Sequence, residues 1–199
     1  FKYSITTMPM YYTGLGKQNL LWIHDALTFE EKFIHGEEKI TYSNFNKILI
    51  KNAKHAKYVI TPTEFSKKKL IKFLECDSDK IRVLPYQIDT AEYHKVVNNS
   101  IFINQLKLKY NLDENDKHII FVGSPHYRKN LKTVLKVLEK VNKSHPNIKL
   151  LVISHPRNDI PLTLESYQKI EQSNQAVLLS KIPREDIIGL LTLSDLLLN

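Results

Sequence analysis

The chain has 199 residues, 42% of them hydrophobic, enough for a sizeable core in one or two domains. A formal net charge of +8 favours anionic partners such as nucleotide phosphates, acidic lipid surfaces or nucleic acid, although lysines spread along the chain explain much of it as a solvated surface. The single Cys76 excludes an internal disulfide framework, no stretch reaches the roughly 20 apolar residues of a membrane span, and neither end reads as a signal peptide.

The first residues, FKYSITTMP, are strand-like. Gly14-Leu15-Gly16-Lys17 has two features of a phosphate loop but lacks its first glycine and its Ser/Thr, so a turn is expected. Leu20 to Ile23 form an apolar run suited to a buried strand, with His24-Asp25 where it emerges. In open α/β sheets ligands gather at the carboxyl ends of strands, which makes His24 a candidate for chemistry; a satisfied structural histidine is the competing reading. Lys39 to Lys54 predicts a helix with Ile40, Phe45, Ile48 and Leu49 on its apolar face, and Ala56 to Thr61 a strand. Thr63 is placed to cap a helix from Glu64 to Leu74 that turns Phe65, Leu70, Phe73 and Leu74 inward. Ser66 and Lys69 have the S-x-x-K spacing of acyl enzymes without its companion motifs, and Asp77-Ser78-Asp79 has the residues of an ordinary turn. A strand from Ile81 to Leu84 precedes Pro85 to Asn99, whose proline and polar residues predict an interdomain linker.

Beyond a helix expected over Ile101 to Tyr110 lies HIIFVGSPHYRKN, His118 to Asn130. Ile119 to Val122 suit a strand buried on both faces, and Gly123 permits a tight turn there. Arg128, Lys129 and Asn130 then lead into a helix at Leu131, so cations and first-turn N–H groups would meet at one strand end. That combination suits phosphate; a basic surface turn is the competing reading. Leu131, Val134, Leu135, Leu138 and Val141 recur at helical spacing and mark a buried stripe. Strands are expected at Ile148 to Ser154, Ala176 to Ser180 and Asp195 to Leu198, with helices at Leu164 to Gln172 and Arg184 to Leu193. Strands separated by helices imply an α/β protein with parallel sheets. Because the chain opens in strand-like sequence and stops after Leu196-Leu197-Leu198, a fragment is expected.

AKYVITPTEFSKKKLIKFL, KIRVLPYQIDTAEY and IIFVGSPHYRKNLKTVLKVLEK, with IHD before them and IPREDIIGLLTLSDLLL after, together resemble a family-4 (group 1) retaining glycosyltransferase. The resemblance covers nearly the whole chain in the family's order. It implies the GT-B fold: two Rossmann-like domains with parallel sheets across a cleft, here both incomplete. Residues 1–97 would form the later part of the N-terminal, acceptor-side domain and 98–199 the first part of the nucleotide-sugar-binding domain. The implied activity moves a sugar from a nucleotide-diphosphate donor to a glycan, lipid or small-molecule acceptor with retention of configuration, without a metal or other cofactor. His24 would contact the reacting sugar, and Gly123, Ser124, Arg128, Lys129 and Asn130 would hold the donor. The sequence departs from the family's pattern at Tyr86-Gln87, where Asn-Gly is frequent, and at Ser124, where many members have arginine. The N-terminal glycine-rich loop and the E-x7-E carboxylates are expected outside these 199 residues, so this stretch alone is expected to be inactive.

A non-catalytic nucleotide-binding or scaffold relative is the alternative, and a nucleic-acid-binding protein ranks last because most aromatics fall in predicted core segments. The expected location is the cytoplasm. Lys47, Lys51, Lys54, Lys57, Lys67, Lys68, Lys69 and Lys72 add the expectation of peripheral contact with the inner face of an anionic membrane.

Overall fold

The computed structural model describes residues 2–7, 18–30, 38–123, 129–155 and 161–198. Two compact units, Phe1–Ile88 and Asp89–Asn199, each hold a four-stranded parallel sheet. In the first, β1 (Tyr3–Thr6), β2 (Gln18–Trp22), β3 (Tyr58–Thr61) and β4 (Ile81–Val83) lie side by side in chain order. The helix α1 (Glu38–His55) connects β2 to β3, and α2 (Glu64–Leu74) connects β3 to β4. Leu21, Val59 and Ile81 from the strands pack with Leu49 and Ala53 of α1 and Leu70 and Leu74 of α2.

Local sequence accounts for α2 closely. The Thr63 hydroxyl accepts the Ser66 N–H at 3.0 Å and so caps the first turn, a bond contributing about 1 kcal/mol. Glu75 ends the helix in the left-handed conformation. Phe65, however, is 70% exposed rather than turned inward, because it follows the first helical residue on the face opposite Leu70 and Leu74. Ser66 and Lys69 have structural partners: the Thr63 hydroxyl donates to Ser66, and Lys69 pairs with Glu30 at 2.9 Å.

The second unit begins with α3 (Thr90–Val97) and α4 (Ser100–Lys109), followed by β5 (Lys117–Val122), α5 (Leu131–Val141), β6 (Ile148–Ile153), α6 (Pro161–Glu171), β7 (Ala176–Leu179), α7 (Arg184–Leu193) and β8 (Leu196–Leu198). The expected linker from Pro85 to Asn99 therefore contains a helix, and the structural units meet nine residues earlier than the 97/98 division. Asp89 caps α3 by accepting the Ala91 and Glu92 N–H groups. The helix packs on α7, where Arg184 Nε lies 3.0 Å from both carboxylate oxygens of Glu92. A close approach of α4 to α7 occurs at Gly189, where a Cβ would fall 2.1 Å from Leu106 Cδ1.

Strand order in this sheet is β7-β6-β5-β8. Side chains alternate between its faces, as the strand period requires. Phe121, Leu150 and Val152 face α5 and α6 with Leu131, Leu135, Leu138 and Tyr167, whereas Ile120, Leu151 and Ile153 pack with Leu190 of α7. Burial on both faces explains the unbroken apolar runs IIFV and LLVI.

Candidate functional site

Chain order reverses around β5. The path runs from β5 through β6 to β7 and then returns to β8 on the opposite side of β5. The carboxyl end of β5 is thus a topological switch point, where an open α/β sheet leaves a crevice for ligand. Gly123 occupies it. Its N–H donates to the Ile153 carbonyl at 3.0 Å, and its φ of +151° is one that side chains resist. A Cβ at Gly123 would lie 3.6 Å from Lys129 Cε, an ordinary contact, so glycine is required for its backbone angle rather than for space.

The lysine stem therefore runs beside the glycine turn, and Lys129 itself is exposed. Asn130 follows in the left-handed conformation with φ 53° and makes no side-chain cap for α5. The start of α5, a lysine and a glycine turn thus share one strand end, as the sequence predicts for Gly123, Lys129 and Asn130. Ser124 and Arg128 lie outside the described residues, as does the Gly14–Lys17 turn.

In the first unit, β2 ends at Trp22, and the Ile23 N–H still bonds the Ile60 carbonyl at 2.8 Å. His24 is the next residue and is exposed. Asp25 is occupied locally, its carboxylate accepting the Leu27 N–H at 2.8 Å. Beyond the end of β4, the Tyr86 hydroxyl hydrogen-bonds His24 Nδ1. The Tyr86 ring stacks on Trp22 with centroids 5.9 Å apart and lies 6.1 Å from the His24 ring. Tyr86 was not a predicted site residue; the signal was an aromatic residue directly after the strand KIRVLP, at the same sheet end as His24. Two buried polar atoms at these strand ends, Trp22 Nε1 and Thr61 Oγ1, have no hydrogen-bond partner among the described residues.

A cavity of about 810 Å³ is at the other end of the second sheet, beside Asp113, His118, Lys149 and Asn174. There Asp195 accepts the His118 N–H at 2.8 Å and lies 3.0 Å from Lys117 Nζ, bonds that hold its carboxyl below the usual range. Burial lowers the His118 imidazole despite Asp116, Asp195 and Asp113 nearby. Being at the amino ends of the strands, this cavity is remote from the switch point. Among the described residues no cluster of His, Cys, Asp and Glu could hold a metal, and no helix is long and apolar enough to cross a membrane.

Residues 102–198, from α4 to β8, match the family model of the glycosyl transferases group 1. The second unit belongs to that family. Solved structures show the fold of both units. A glycosyltransferase from Rickettsia africae is similar over 90% of this chain and 44% of its own, with 18% identity and a TM-score of 0.64. An α,α-trehalose-phosphate synthase from Burkholderia xenovorans is similar over 98% and 51%, with 12% identity and a TM-score of 0.62. A UDP-GlcNAc 2-epimerase from Neisseria meningitidis, solved with UDP-GlcNAc, is similar over 90% and 47%, with 15% identity and a TM-score of 0.62. No curated protein matches the sequence. The group 1 domain thus sits in a chain of GT-B type, with two Rossmann-like units, which spans about half the length of the solved structures it matches.

Proposed function

We propose that the intact protein transfers a sugar from a nucleotide-diphosphate donor to an acceptor hydroxyl with retention of configuration. The observation that carries this reading is the Gly123–Lys129–Asn130 strand end, within the segment that matches the group 1 family. The bond from the anomeric carbon to the β-phosphate oxygen breaks, and a bond to the acceptor oxygen forms. The acceptor's proton passes to the leaving phosphate. Negative charge grows on that diphosphate as the bond breaks. Lys129 and the first-turn N–H groups of α5 offset it in this reading, without a metal ion. His24 contacts the transferred sugar from the end of β2. The protein acts in the cytoplasm, with the lysines of α1 and α2 touching anionic lipid.

Calorimetric titration with a nucleoside diphosphate tests the donor site. Lys129→Ala should weaken binding by roughly 1.5–3 kcal/mol, the scale of a charge-assisted hydrogen bond. Unchanged affinity would return Lys129 to an ordinary surface role. Transfer by the full-length enzyme should persist in the presence of a chelator. Nucleotide binding without transfer to any acceptor would instead favour the non-catalytic relative.

A further inference from the structure

The structure assigns Tyr86 as a positioning residue for His24: its hydroxyl proton is donated to Nδ1 and so fixes the imidazole proton on Nε2. This inference rests on the sugar-transfer reading only for its consequence, not for its geometry. The two residues are 62 positions apart and meet because β2, β3 and β4 are consecutive neighbours in a parallel sheet. Each is anchored close to its last ladder bond. Ile23 bonds Ile60 just before His24, and the Leu84 N–H bonds the Thr61 carbonyl at 2.9 Å two residues before Tyr86. Stacking on Trp22, itself a β2 residue, gives the Tyr86 ring a fixed wall.

A neutral imidazole carries one N–H and one lone pair, and the partner of one nitrogen decides which is which. A phenol is a stronger donor than acceptor, and an imidazole nitrogen is a strong acceptor, so O–H···Nδ1 is the favoured pairing. His24 Nε2 then remains an N–H donor. The ligand group it suits is a hydrogen-bond acceptor, such as a hydroxyl or carboxylate oxygen of a sugar, and not a cation. Without Tyr86, both tautomers would be populated, and part of the population would present a lone pair instead.

Nitrogen-15 NMR of the histidine rings in the 199-residue chain, at about pH 9 where an ordinary imidazole is neutral, reads the tautomer directly. The expected result is the Nε2–H pattern for His24 in the native chain and averaged nitrogen shifts in Tyr86→Phe. An Nδ1–H pattern in the native chain, or an unchanged pattern in Tyr86→Phe, would overturn the assignment. In the full-length enzyme, Tyr86→Phe should lower kcat roughly three- to tenfold, the range of one hydrogen bond, with nucleoside diphosphate affinity unchanged. A nucleotide-affinity loss in step with kcat would point to a purely structural role and also overturn it. If the tautomer shifts as expected but the intact protein binds no nucleotide, the sugar-transfer reading fails and the positioning role stands.

Discussion

Each unit presents a parallel four-stranded sheet, yet the two carboxyl edges are built differently. In the first, β1 to β4 follow chain order, and the edge is furnished by side chains: Trp22, His24 and Tyr86 form an aromatic group with a single hydrogen bond among them. In the second, the chain returns across β5, and the described residues at the edge are a positive-φ glycine, the start of α5 and a lysine stem. Backbone amides and a cation suit a diphosphate, which carries dense charge and no ring to stack on. Aromatic faces and an imidazole N–H suit a sugar, which is rich in hydroxyl groups and apolar on one face. In the proposed reading, one fold supplies a site for each group.

The sharpest test of the two-unit division is in the cores. Phe121→Ala should destabilise the second unit by about 3–5 kcal/mol, and Leu21→Ala the first by about 2–5 kcal/mol, because each side chain is almost wholly buried in its own cluster. Residue-resolved hydrogen exchange should show each loss confined to the mutated unit. Loss of protection throughout the chain from either substitution would mean that the cores act as one.

Next comes the division of labour between the two edges. Lys129→Ala should weaken nucleoside diphosphate binding, whereas His24→Ala should lower kcat of the full-length enzyme by roughly tenfold or more with little change in nucleotide affinity. A parallel fall in thermal stability and activity for His24→Ala would make that histidine structural.

A smaller effect distinguishes the units by pH. The His118 imidazole is lowered by burial, so the unfolded chain takes up a proton near its ordinary value of about 6.5 that the folded unit resists. Stability of the second unit should therefore fall as pH drops through and below that value, and His118→Asn should flatten the slope. The first unit, with no buried histidine among the described residues, should lack it. Thermal unfolding followed between pH about 7.5 and 5.5 reads both.

The weakest expected effect is membrane contact. Lysines near an anionic surface contribute about 1 kcal/mol each, and salt screens them. Sedimentation with anionic vesicles should show salt-sensitive binding, absent with neutral vesicles; equal binding to both, or to neither, would remove the membrane from the reading.

Most elements were legible in the sequence because their causes are local. Thr63 and the apolar spacing of Leu70 and Leu74 define α2, Arg184 to Leu193 is helical as read, and the runs IIFV and LLVI mark strands buried on both faces. The proximity of Gly123 and Lys129 has a local cause too, the two being six residues apart in the chain. The helix α3 was obscured by the polar residues that cap it: Asp89 reads as a turn residue until its carboxylate is seen on two N–H groups. Phe65 was misplaced because apolarity alone does not fix which helix face meets the core. The sequence by itself determined the alternation of strands and helices and the place of Gly123 at a strand end, since each depends on neighbours in the chain. Only the tertiary structure decided that β8 returns beside β5 and that Tyr86 reaches His24. Those contacts depend on the order of strands in a sheet, which packing of whole elements sets and no local periodicity encodes.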